Sequence, residues 1–345
     1  MKTHPHLRLL TSSSSATAVA SVLLLSTALA LVPVAAHSAV GDLYLTDRGA
    51  GPGGSDLIDK FTPTGGAPST FAGGSGPNSI FQTEGLAFDT IGNLYVSSGG
   101  SGGAGNGSII KFLPGNGGSG SPFATGLSNP NGLAFDAAGN LYEADFGSGT
   151  IFKITSGGVK STFASGLSNP GALAFDAAGN LFEADTGSHA ILKFTNTGGT
   201  LSNTPSTFAS LGNLNTATGL AFDSAGNLFE AQQGFSGTIN KFAPNGSETN
   251  FANTANNPVG LAFDSAGNLF DTESNGTINK FTNTGGTLSN TSSVFASSLS
   301  NPQDLAFQPA VVPEPATGTM VLGALGLLLG CQRFARRSRN RNHRA

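Results

Sequence analysis

The chain has 345 residues, among them 50 Gly and 25 Phe, with no Trp, one Cys and only 10 % charged side chains. Between Ala39 and Pro309, eight Lys/Arg stand against nineteen Asp/Glu, a net of −11. This excludes a nucleic-acid partner, because phosphate neutralisation needs basic clusters. The lone Cys331 excludes an intramolecular disulfide and a zinc site built from cysteines, so the fold rests on its core alone.

The N-terminus predicts a secretory signal over residues 1–38. Lys2 and Arg8 give the positive start, and an apolar stretch runs from Ala18 to Ala36. Ala36-His37-Ser38 then supplies the small residues that a signal peptidase reads, placing cleavage before Ala39. A retained membrane anchor is the alternative.

The body, 39–309, is built from an internal repeat. Leu-Ala-Phe-Asp recurs at Leu86, Leu133, Leu173, Leu220 and Leu261, each time followed by Gly-Asn-Leu and an aromatic residue. An Ile-x-Lys element shares the spacing, with its lysines at 60, 111, 153, 193, 241 and 280. So does a Phe-Ala pair that begins at Phe71, Phe123, Phe163, Phe208, Phe251 and Phe295. The period of roughly 40–50 residues is that of propeller blades, and registered apolar motifs exclude a disordered low-complexity chain.

Each unit predicts four short strands: Leu-Ala-Phe, Leu-Tyr/Phe, Ile-x-Lys-Phe and Ser-Thr-Phe-Ala. Asp-x-x-Gly-Asn joins the first two as a tight turn, in which Asp caps backbone N–H groups and Gly takes φ > 0. Gly41-Asp42-Leu43-Tyr44 is a second strand lacking a first, and Asp304-Leu305-Ala306-Phe307 is a first strand lacking a second. Joined, they complete a blade. The expected fold is all-β: a six-bladed β-propeller of four-stranded blades, closed by pairing of N- and C-terminal strands, which removes sheet edges.

The C-terminal segment 310–345 repeats the logic of the leader in reverse. Pro313-Glu314-Pro315 precedes an apolar run from Met320 to Cys331 and six arginines between Arg333 and Arg344. The run is short for a span of about 20 residues, and the arginines predict a cytoplasmic end. These three parts resemble the PEP-CTERM sorting signal. The resemblance implies a Gram-negative, exopolysaccharide-producing bacterium and processing by an exosortase. It also implies release into, or retention on, the extracellular matrix. Contact with the membrane is then confined to the tail before processing.

The body's Gly-Leu-Ala-Phe-Asp-x-x-Gly-Asn-Leu-Tyr pattern is similar to NHL-repeat propellers. More loosely it resembles the gluconolactonase-like and virginiamycin B lyase-like propellers. One fold hosts binders and enzymes alike, so function is sought where the repeat breaks. The repeated Asp89, Asp136, Asp176, Asp223 and Asp264 follow the repeat and are assigned to turn capping.

Just before each first strand, near the expected central channel, stand Glu84, Asn131, Gly171, Thr218, Val259 and Gln303. Glu84, Asn131 and Gln303 are the candidate ligand residues. The gluconolactonase resemblance implies a divalent metal held by Glu, Asn and Asp. Glu84 and Asn131 match two of these, and no Asp occupies an equivalent position. Hard oxygen ligands suit Ca²⁺, but two are too few for a site.

A second set, Glu143, Asp145, Glu183, Asp185, Glu230 and Asp271, is expected to make one disc face acidic or to form a solvated rim. The lyase resemblance implies a catalytic His, and only His189 lies in the body, in a turn expected to be exposed. No catalytic constellation emerges. The expectation is a non-enzymatic binding protein with polysaccharide or a surface protein as partner, and the alternative is a metal-dependent lactonase or lyase.

Overall fold

The computed structural model describes residues 41–49, 56–73, 80–100, 105–115, 118–212, 216–234 and 237–309. The expected signal peptide and the tail lie outside them. Among the described residues there is no helix; the ordered structure is six four-stranded antiparallel sheets and one two-stranded hairpin.

Blade 3 shows the plan. Its inner strand is Pro130–Phe135, followed outward by Leu141–Asp145, Thr150–Ile154 and Lys160–Ser165. From blade 1 to blade 6 the inner strands are Pro302–Phe307, Thr83–Phe88, Pro130–Phe135, Pro170–Phe175, Thr216–Phe222 and Pro258–Phe263, and neighbours contact one another around the full ring. Blade 1 is composite. Pro302–Phe307 pairs antiparallel with Leu43–Asp47, with Leu43 opposite Phe307 and Leu45 opposite Leu305. Gln308 N donates to Asp42 O at 2.9 Å just beyond this ladder. The two orphan strands read from the sequence therefore meet.

The turns form as their residues dictate. Asp136 Oδ1 accepts from the backbone N–H groups of Ala138 (3.0 Å) and Asn140 (2.8 Å), and Oδ2 accepts from Asn140 Nδ2 at 2.8 Å. Gly139 sits at φ 79°, where a Cβ is costly. The same bonds recur at Asp89, Asp176, Asp223 and Asp264. These five turns mark one end of the ring, here called the hairpin end; the opposite end is the mouth.

Six hydrophobic clusters fill the six seams between blades. The second-strand aromatic is the centre of each. Tyr142 meets Phe163 of its own blade (5.1 Å, 84°) and Phe175 of the next (5.2 Å, 73°), both edge-on. Edge-to-face geometry of this kind adds roughly 0.5–1.5 kcal/mol per pair beyond burial. The third-strand lysine lies over the same ring, as Lys153 does at 5.4 Å from the Tyr142 centroid. Equivalent lysines cover Tyr44, Tyr95, Phe182, Phe229 and Phe270. This cation–π contact explains why Lys belongs to the repeat.

Candidate ligand site at the channel mouth

Propeller blades converge on an axis, and the residue before each Leu-Ala-Phe fixes how closely. Four of these six positions are Gly85, Gly132, Gly219 and Gly260, and Ala172 is a fifth. A Cβ on any of the four glycines would fall under 3.0 Å from backbone of the neighbouring inner strand. The blades are drawn together until only hydrogen fits.

The sixth position is Asp304. Its carboxylate bridges blades 1 and 2: Oδ2 accepts from Leu86 N at 3.0 Å, and Oδ1 accepts from Leu305 N at 2.9 Å. Burial in the narrow channel pushes its pKa up to about 7, opposed by those two N–H bonds and assisted by the charge of Glu84. Sequence reasoning overlooked Asp304 by looking one residue earlier. The signal was present, since Asp304 is the charged member of a Gly/Ala column.

Glu84, Asn131 and Gln303 all line the channel, with Thr218 and Val259, around a cavity of about 140 Å³. They lie on the mouth side of the glycine ring. Glu84 is bound by Arg48, whose Nη1 donates to Oε1 at 2.6 Å, with side-chain exposures of 30 % for Arg48 and 21 % for Glu84. Burial raises the Glu84 pKa, Arg48 lowers it, and Asp56 raises it. Gln303 Nε2 donates to Asn301 Oδ1 at 2.9 Å and to Asn301 O at 3.0 Å, so its amide is held by its own loop.

Beside the channel, Arg48 and Glu84 share a recess of about 400 Å³ with Gln82, Gly99, Ser128, Asn129 and Gly147. Gln82 (φ 48°) and Asn129 (φ 91°) both adopt the left-handed region without being glycine. Asn129 shares this backbone state with Asn169 (φ 61°) at the same place in the next blade, so there it belongs to the repeated Ser-Asn-Pro loop.

The acidic set is corrected by the structure. Glu143, Glu183, Glu230 and Asp271 are wholly buried, and Asp145 and Asp185 nearly so. They form neither an acidic face nor a solvated rim. Second strands are covered on both sides by adjacent blades, so every residue of Leu141–Asp145 is interior. Tyr142 and Ala144 join the seam with blade 4, whereas Leu141 joins the seam with blade 2. Strand alternation then turns Glu143 toward the blade 2 seam as well.

Asp145 and Asp185 are clamps. Asp145 Oδ2 accepts from Ser128 N at 2.7 Å, and Asp185 Oδ2 from Ser168 N at 2.9 Å, holding the loops that feed the inner strands. His189 is half-buried, not exposed, at φ 54° in a blade 4 loop; it is not among the channel-lining residues.

The residues at the axis do not fit a hard divalent cation. Arg48 occupies a Glu84 oxygen, two backbone N–H groups occupy both Asp304 oxygens, and Gln303 turns to its own loop. Among the described residues no three His, Cys, Asp or Glu gather as a metal set. Calcium asks for six to eight oxygens.

Residues 311–340 match the PEP-CTERM protein-sorting motif. The chain ends in a PEP-CTERM signal. That signal indicates bacterial export to the cell surface or beyond, with processing by exosortase. The fold is similar to a catalytically inactive virginiamycin B lyase from Staphylococcus aureus with quinupristin. The TM-score is 0.54 at 15 % identity, over 77 % of this chain and 92 % of that one. It is also similar to a gluconolactonase from Xanthomonas campestris, with TM-score 0.53 at 17 % identity, over 77 % and 89 % of the two chains. At such identity the likeness carries the propeller fold alone. No curated protein sequence matches the chain.

Proposed function

We propose that this PEP-CTERM chain is an exported binding protein of the extracellular polysaccharide layer, taking a polyhydroxylated ligand at the channel mouth. The observation that carries the reading is the recess around Arg48–Glu84. It brings a guanidinium and a carboxylate that break the blade repeat to one partly exposed place with the amides of Gln82 and Asn129. Planar donors and acceptors of this kind suit sugar hydroxyls, since each leaves an unsatisfied group if the hydroxyl is missing. The acidic body, at −11, favours a neutral glycan over a polyanion.

The test is retention of the purified body on the producer's exopolysaccharide. Wild-type protein is retained, and Arg48→Ala lowers affinity by at least tenfold, the loss of one charge-assisted hydrogen bond worth about 1.5–3 kcal/mol. No retention together with lactone hydrolysis would replace this reading with an enzymatic one.

A further inference from the structure

We propose that the hairpin end of the propeller is the surface that contacts the exosortase during processing of the sorting tail. This does not depend on what binds at the mouth. Leu43 and Phe307 are paired partners at the hairpin end, so the chain enters and leaves the propeller at one point. The exit is fastened by the bond from Gln308 N to Asp42 O. Only Gln308–Val312 separate the last strand from the Pro313-Glu314-Pro315 triplet. Five residues fully extended reach about 20 Å. An enzyme acting on the tail near that triplet works within this distance of the hairpin end, and the mouth faces away from it.

The surface there is suited to a protein partner. Four large apolar side chains are strongly exposed among the described residues: Ile91 (64 %), Leu113 (45 %), Val159 (67 %) and Val294 (65 %). The first three lie in turns at the hairpin end, on blades 2 and 3. Leu113 also lines an open recess of about 340 Å³ whose wall includes Phe71, Phe88 and Gln308, the residue that starts the exit segment. Ile91 adjoins Gly92 of the same recess, so two of these side chains stand beside the exit segment, where exposed apolar surface marks an interaction site.

Three of the six third-strand lysines at this end pair with acids, Lys60 with Asp42 at 2.6 Å, Lys153 with Asp136 at 3.7 Å and Lys241 with Asp223 at 3.9 Å, and Lys111, Lys193 and Lys280 lie over aromatic rings, one to a blade. An anionic lipid surface would ask for uncompensated basic clusters. Lysines spread one to a blade on a body of net charge −11 therefore favour a protein over a lipid headgroup layer.

The experiment follows the ratio of tail-bearing precursor to processed chain in the producing cell, by immunoblot of the full-length protein. Ile91→Glu combined with Leu113→Glu raises the ratio roughly tenfold, as expected for losing two interface anchors. Ser188→Glu, an exposed substitution at the mouth end, leaves it unchanged. An unchanged thermal midpoint of the purified double variant separates lost contact from misfolding. Equal processing of wild type and double variant overturns the proposal, as does an equal effect of Ser188→Glu. Binding of the purified body to phosphatidylglycerol vesicles that Ile91→Glu abolishes would overturn the choice of a protein partner.

Discussion

Replacing Glu230 by Gln should make the propeller more stable, and increasingly so as pH rises. Glu230 is wholly buried in the seam between blades 4 and 5. Asn240 Nδ2 donates to its Oε2 at 3.0 Å, while Oε1 has no partner. Burial raises its pKa from 4.5 to about 8, with the Asn240 bond lowering it and Glu248 raising it. The folded state thus keeps a proton that the unfolded chain releases above pH 4.5. The protein is at its most stable, as far as this group decides, below pH 4.5, and the contribution is lost as pH climbs to about 8. At about 1.4 kcal/mol per pH unit, the loss is roughly 3 kcal/mol by pH 7 and roughly 4 kcal/mol by pH 8.

Glutamine has the same shape, accepts the Asn240 bond and has no proton to lose. Urea midpoints of wild type and Glu230→Gln should coincide near pH 4.5 and separate progressively to pH 8, because the variant lacks this group's share of the pH slope. Asp271, raised to about 8 by burial and by the Glu273 charge, adds to the same alkaline slope in both proteins. A wild-type protein more stable at pH 8 than at pH 5, or identical slopes for the two proteins, would refute the reasoning.

Asp136→Ala removes three hydrogen bonds from a turn and should cost about 1–2 kcal/mol, read as a thermal midpoint lower by roughly 2–8 °C. Gly132→Ala puts a methyl under 3.0 Å from backbone of the blade 4 inner strand, which cannot yield. It should cost about 3 kcal/mol or more, whereas Gly139→Ala, at φ 79° with open space around it, should cost about 1–2 kcal/mol. Both comparisons are made by thermal unfolding of the purified body.

Much of this architecture is legible without coordinates because each blade states it again. Leu-Ala-Phe, the Asp-x-x-Gly-Asn turn and the Phe-Ala pair each have one solution at their spacing, and two half-blades at the ends leave only a closed ring. The buried acids were not legible. Glu143 looks like the polar position of a half-exposed strand, and only packing of blade against blade makes both its faces interior. Leu45 and Val96 hold the equivalent place in blades 1 and 2 and give the clue that it is a core position. The Arg48–Glu84 pair was illegible for a different reason. Its members come from separate blades, and no local pattern links them.

The breaks in the repeat gather at one boundary, and that ties the site to closure of the ring. Arg48–Glu84, Asp304–Leu86 N and Asp56–Thr83 all cross from blade 1 to blade 2 on the mouth side. Thr46 Oγ1 adds a bond to Glu84 O at 3.1 Å. Blade 1 owes its inner strand to the chain terminus, so loosening Pro302–Phe307 releases Asp304 and frees the recess wall together. Leu305 and Leu220 occupy equivalent inner-strand places and are both buried, at 3 % and 8 % exposure. Either one changed to Ala should lower stability by about 2–5 kcal/mol. Only Leu305→Ala should also weaken retention on the glycan, because the strand of Leu220 lends no residue to the Arg48–Glu84 recess. Saturating glycan should in turn raise unfolding stability by about 2.7 kcal/mol at a hundred times its Kd. If Leu220→Ala impairs retention as much as Leu305→Ala, the site is not coupled to closure, and the mouth is a surface that any blade could have carried.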